Sequence, residues 1–219
     1  PLLAEIAALP ELKSLSLNHV PLTDKEFLQL STARKLVSLE LLQTGITGQG
    51  LGHLSQLPIK RLLLSDTSIT REGLASLVEF AELEELVLQL PAFSASSLPS
   101  LAGLKKLKKL SIMRINFDYR ANGGLHCLEN AEGIEQLEIC GEKLTSRVLT
   151  AISGLKGLKS LKIENPIIED EGLEELLALQ QLEHLEIHQC DELTDQSLTL
   201  LASLTRLKSL RLTDIVMEA

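Results

Sequence analysis

The sequence predicts an α/β solenoid, a stack of short strand–turn–helix units, and three observations carry that prediction. First, the pattern apolar-x-x-apolar-x-apolar starts at Leu12, Leu36, Ile59, Leu83, Leu107, Ile134, Leu158, Leu182 and Leu207, at spacings of 24, 23, 24, 24, 27, 24, 24 and 25 residues. A period of this length marks a repeat architecture, in which one unit cannot bury its apolar face alone and neighbours must stack. Second, each unit holds two hydrophobic periods. Pairs such as Leu15/Leu17 and Leu185/Ile187 alternate as a strand does. Leu51/Leu54/Leu57, Leu74/Leu77/Phe80, Leu98/Leu101/Leu104, Leu173/Leu176/Leu179 and Leu198/Leu201/Leu204 step by three, which reads as one stripe of a short helix. Third, aromatics are only 2% of the 219 residues while apolar residues are 44%, so the core must be built from Leu and Ile. A core of so few residue types suits one packing solution used many times.

Taken in order, the chain begins with Leu3, Ile6 and Leu9, the helical triplet that closes a unit lying before residue 1. It ends at Ile215 to Ala219, just past the last strand, and neither end carries the polar unit that normally caps a solenoid. With Pro1 in place of an initiator Met, the expectation is one repeat domain over 1–219, a piece of a longer protein whose uncapped ends permit self-association. Between the two halves of the units stand Thr23, Thr47, Thr70, Ser94, Thr145 and Thr194, placed as N-cap hydroxyls, and Thr23 with Glu26 spells a capping box. The most regular copy runs from Leu182 to Leu198. The 27-residue unit departs from it by three extra residues within Tyr119-Arg120-Ala121-Asn122-Gly123-Gly124. Repeat insertions fall on loops that often carry function, which makes Tyr119 a candidate contact residue.

Composition narrows the function classes. There are 21 basic and 30 acidic residues, a net charge of −9, which argues against a nucleic-acid backbone as partner. Three cysteines, Cys127, Cys140 and Cys190, are too few and too odd for a disulfide framework and suit a reducing, cytoplasmic compartment. No Asn-x-Ser/Thr acceptor occurs, and no 18-residue apolar run is present that would point to a membrane.

The repeated Leu-x-x-Leu-x-Leu, followed by Ile/Leu-Thr-Asp-x-x-Leu, resembles the leucine-rich-repeat superfamily over essentially the whole chain. That resemblance implies a right-handed horseshoe of about nine repeats, with a parallel sheet on the concave side and helices on the convex side. The 24-residue unit and its Thr-Asp-x-x-Leu stretch are similar to the cysteine-containing repeats of F-box proteins and to bacterial GALA-like repeats. Of the ladder position that cysteine fills in the first group, only Cys190 conforms; the others are Val20, Thr44, Thr67, Pro91, Ile115, Glu142, Pro166 and Ile215. The likeness implies the substrate-reading part of a ubiquitin ligase, or a bacterial effector acting inside a host cell, although no F-box or catalytic segment lies in these residues.

Stacked strands lie about 4.8 Å apart, so equivalent positions of adjacent units become ladders. One ladder reads Lys60, Glu84, Lys108, Glu135, Lys159, Glu183, Lys208, and another Glu138, Lys162, Glu186, Arg211; both predict cross-strand charge pairing. Cys140, Glu164 and His188 fall on one ladder, and Ser160 neighbours His184. An open face with Cys and His two rungs apart makes neither a metal site nor an activated thiol, so no enzyme activity and no cofactor are expected. The stronger signal is apolar residues where a solvated face should be polar. Leu42, Leu63, Val87 and Met113, with Leu90 at the rim, form an exposed patch ringed by Arg61, Glu85, Lys109 and Arg114. The function expected is a scaffold that recognises a partner protein on the concave face. The alternative is a structural spacer or an autoregulatory segment packed against another domain of its own chain.

Overall fold

The computed structural model describes residues 2–117 and 125–214. It builds a nine-stranded parallel sheet in sequential order: β1 (Ser14–Asn18), β2 (Ser38–Leu42), β3 (Arg61–Ser65), β4 (Glu85–Gln89), β5 (Lys109–Asn116), β6 (Gln136–Thr145), β7 (Ser160–Ile167), β8 (His184–His188) and β9 (Ser209–Leu212). The strand register equals the sequence period. Leu15 pairs with Leu39, Leu39 with Leu62 and Leu62 with Leu86, so every unit offers the same two inward residues to the next. Those inward ladders are fully buried through most of the stack, as at Leu39, Leu41, Leu62, Leu64, Leu161 and Ile163. The result is the expected open solenoid with short helical turns on its outer side.

The outer layer differs from the expected row of helices. It holds five short α-helices, α1 (Leu2–Ala7), α2 (Asp24–Phe27), α3 (Arg71–Ala75), α4 (Ser146–Ile152) and α5 (Gln196–Leu201), alongside six 3₁₀ segments among the described residues. The longest 3₁₀ segment, Asp170–Ala178, buries Leu173 and Leu176, with Leu179 buried at its end. Side chains three apart eclipse one another at 3.0 residues per turn, so this stripe stacks in line on a 3₁₀ turn, although the same three-step spacing at Leu198 and Leu201 lies in the α-helix α5. By contrast α4 buries Val148, Leu149 and Ile152, a one–three–four pattern that needs 3.6 residues per turn.

Turn chemistry ties each unit to its neighbour. Thr23 forms the capping box with Glu26, and Thr70 and Ser94 accept from Gly73 N and Ser96 N. Thr145 stands at an N-cap but makes no side-chain cap bond, and Thr47 does not cap at all. Thr47 instead donates its backbone N–H (3.2 Å) and hydroxyl (2.6 Å) to the Asp24 carboxylate, one unit away, which also accepts from Gly48 N at 3.1 Å. Asp170 repeats the device by accepting from Thr194 N at 3.0 Å, Thr194 Oγ1 at 2.6 Å and the Ser197 hydroxyl. Burial opposes ionisation of Asp170, yet the hydrogen bonds from Ser197 and Thr194 hold its carboxyl below the usual range. An Asp at the start of the outer segment, Asp24 or Asp170, is therefore a lock between units: it satisfies the Thr and turn amides of the next.

Two positions show where the stack is tight and where it is imperfect. A Cβ on Gly141 would lie 2.4 Å from a ring carbon of the buried Phe117 and 2.6 Å from the Ile115 carbonyl oxygen. Gly141→Ala should therefore destabilise by about 1–3 kcal/mol through overpacking, read as a lower urea midpoint at unchanged slope. At the inward turn position Cys190 is fully buried, its Sγ 3.0 Å from the Thr213 carbonyl oxygen. Thr44 buries its hydroxyl at the same position with no hydrogen-bond partner among the described residues. Thr44→Val, the residue type that Val20 supplies in the first unit, should raise stability by about 1 kcal/mol because it removes an unsatisfied buried donor. A lower midpoint for this variant would show that the hydroxyl is satisfied after all.

Candidate functional site

Every second strand residue points away from the core, which lays three side-chain ladders on the concave face. One runs Ser38, Arg61, Glu85, Lys109, Gln136, Ser160, His184. The middle one runs Glu40, Leu63, Val87, Ser111, Glu138, Lys162, Glu186, and the third Leu42, Ser65, Gln89, Met113, Cys140, Glu164, His188. Leu63 and Val87 are direct neighbours. Leu42 faces Ser65, and Met113 faces Gln89, so these two meet the central pair only on the diagonal.

The expected patch is corrected in three respects. Val87 is only 6% exposed, since it stands between Leu63 and Ser111 at the strand spacing of about 4.8 Å and little of its branched side chain remains free. Leu90 is 2% exposed and belongs to the core, because the turn after β4 stays out of the left-handed region and carries this side chain inward. Leu42, Leu63 and Met113 are half-buried, and none of them is among the strongly exposed apolar residues. The surface is a shallow apolar arc rather than a protruding patch. Tyr119, named with it from the sequence, lies outside the described residues.

Charges frame the arc by pairing with one another. Arg61 bridges Glu40 at 3.2 Å and Glu85 at 3.5 Å, and Lys109 reaches Glu85 at 3.2 Å, a chain of charge that crosses four units. Below the face, Lys60–Glu84 and Lys159–Glu135 (both 2.7 Å) and Lys208–Glu183 (2.7 Å) realise the alternating ladder. Hydrogen bonding to Glu84 raises the Lys60 ammonium above its ordinary value and lowers Glu84 in return. Such exposed pairs set register more than stability.

The later units are polar and internally satisfied. Cys140, Glu164 and His188 do share one ladder, but Glu164 is taken up by Lys162 at 2.6 Å, and Lys162 also meets Glu138 at 2.9 Å. The Lys162 hydrogen bond pulls the Glu164 carboxyl down. Burial, with Glu164 beside it, pushes the Cys140 thiol up, away from a reactive thiolate. Among the described residues no group of three His, Cys, Asp or Glu side chains is arranged to hold a metal ion.

Apart from Arg114 and Leu90, sequence reasoning missed the rim. His19, Gln43, Asp66, Arg114, Asn165, Gln189 and Asp214 each take a left-handed backbone at the end of the ladder. This conformation is costly outside glycine and concentrates at sites that are over-determined by their surroundings. A column of polar residues two places after the second strand leucine was the available signal. Arg114, at φ 56°, also makes an ion pair to Asp66 at 3.1 Å, which crosses over an entire unit.

Neither a protein-family model nor a curated protein matches the sequence. Solved structures do. Internalin C2 of Listeria monocytogenes aligns with 91% of this chain and 80% of its own at a TM-score of 0.62 and 22% identity. Internalin InlF of the same species covers 98% and 76% at 0.52 and 18%. The TLR13–ssRNA13 complex matches at 0.70 and 18%, covering 100% of this chain but only 30% of that one. The fold is the leucine-rich-repeat solenoid. In this solenoid, as elsewhere in the described residues, no helix is long and apolar enough to cross a membrane.

The Cys140 environment makes a direct prediction. At neutral pH its reaction with a disulfide reagent should be slower than that of an unhindered thiol, and Glu164→Gln should accelerate it by removing the carboxylate that disfavours the thiolate. Stopped-flow absorbance measures both rates.

Proposed function

We propose that this leucine-rich-repeat solenoid recognises a partner protein on its concave face. Leu63 and Val87 form the centre, Leu42 and Met113 its two ends, and Arg61, Glu85 and Arg114 orient the partner. One observation carries the reading. The middle ladder is otherwise polar, with Glu40, Ser111, Glu138, Lys162 and Glu186, and its two apolar rungs are adjacent. An apolar centre inside a ring of oriented charge is the anatomy of a recognition surface.

The TLR13 structure is a complex with single-stranded RNA, so a nucleic-acid ligand is the natural competitor to this reading. The net charge of −9 and the mutual neutralisation of Arg61 and Lys109 by Glu40 and Glu85 favour a protein. Three free cysteines support an intracellular place of action. A finer role, as the substrate reader of a ubiquitin ligase or as a bacterial effector, rests on the Thr-Asp-x-x-Leu stretches and on Cys190 alone.

A photo-crosslinking residue at Leu63, compared with one at the outer Val78, tests the proposal. The concave probe should capture a defined protein set that the outer probe does not. That set should vanish on introducing Val87→Glu, provided that the variant keeps its melting temperature. Identical captures from both faces, or capture of RNA by Leu63, would sink it.

A further inference from the structure

A small cavity of about 340 Å³ opens at the rim where the apolar arc ends, lined by Arg114, Asn116, Cys140, Gly141 and Asn165, with Pro91 at its edge. Both register shifts of the sheet fall on its walls, between Met113 and Ile115 and between Cys140 and Leu144. β-bulges re-aim side chains and gather beside functional sites. Arg114 is the residue that the first bulge leaves unpaired, and it and Asn165 across the cavity take the left-handed conformation that ends the strand in most units. These two rim residues thus face one small space.

The chemistry of the lining is one-sided. It holds a guanidinium, two carboxamides and a thiol kept protonated by burial and by Glu164, and among the described residues no carboxylate lines it. The nearby Glu164 is already neutralised by Lys162. The Arg114 guanidinium shows which group it accepts, because Asp66 reaches it from two units away at 3.1 Å. The planar fork of a guanidinium suits a carboxylate. Met113, immediately before Arg114 and paired with Cys140, joins this cavity to the apolar arc.

The geometry points to a carboxylate-binding subsite: the cavity at Arg114, Asn116 and Asn165 takes a carboxylate of the partner protein beside an apolar residue that rests on Met113. This rests on the concave-face reading proposed above and adds the chemistry of one anchor. In the free protein Asp66 occupies the guanidinium, and the partner's carboxylate competes with it.

Short probes test the subsite without requiring the whole arc. N-acetyl-Leu-Asp-amide carries a side-chain carboxylate, N-acetyl-Leu-Leu a terminal one, and N-acetyl-Leu-Asn-amide neither. Titrated into the ¹⁵N-labelled protein, a carboxylate probe should give saturable shifts of the Asn116 and Asn165 side-chain amides and of Arg114 Nε. The neutral probe should not, and the better of the two carboxylates identifies the source. Arg114→Gln should weaken binding about tenfold or more, the scale of a charged hydrogen bond. Gln43 and Gln189 already occupy the equivalent strained position, so this variant keeps its fold. Asp66→Asn removes the internal competitor and should tighten binding severalfold. Equal shifts with the neutral probe, undiminished binding by Arg114→Gln, or weaker binding by Asp66→Asn would overturn the subsite. None of these results depends on Leu63 or Val87, so the subsite and the concave-face reading fail separately.

Discussion

Each unit leaves its strand amides, its apolar face and its turn amides to be satisfied by the unit beside it. The parallel ladder does the first, since Leu39 pairs with both Leu15 and Leu62 across about 4.8 Å. The Leu and Ile rows do the second, and the Asp24 and Asp170 carboxylates do the third at two points along the stack. Stability is therefore nearest-neighbour in character, and damage at one interface weakens both units that share it.

The same constraint shapes the surface. Because residues one period apart stand side by side, any regularity of sequence becomes a row in space. Alternating Lys and Glu become a self-satisfied ladder that asks for no partner. Departures stand out for the same reason: Leu63 beside Val87 on a polar rung row, and the two bulges that flank the cavity lined by Arg114 and Asn165. Function is sought at these departures because the repeat itself is used up in holding the stack together.

The outer layer shows how packing overrides a reading of period. A three-step stripe reads as a helix face, yet in units of about 24 residues the segment between turn and next strand spans at most nine residues in the described structure, as at Asp170–Ala178. Leu173, Leu176 and Leu179 stack in line on a 3₁₀ segment, whereas Val148, Leu149 and Ile152 are buried by an α-helix. Both serve the core equally well, since only the inward row is buried.

The number of strands, their parallel order, their register and the core rows are legible in the residues, because one period specifies all four. So are the charge ladders and the adjacency of Leu63 and Val87. Exposure and aim depend on the folded backbone. Burial of Val87 depends on its neighbours Leu63 and Ser111 one strand away on either side, and burial of Leu90 on a turn that declines the left-handed region. The rim cavity lies beside two bulges, and the Arg114 guanidinium on its wall is engaged by Asp66, 48 residues earlier in the chain. A one-dimensional period can say which residues are neighbours, but whether a neighbour covers a side chain or turns it outward is settled by backbone angles that no period encodes.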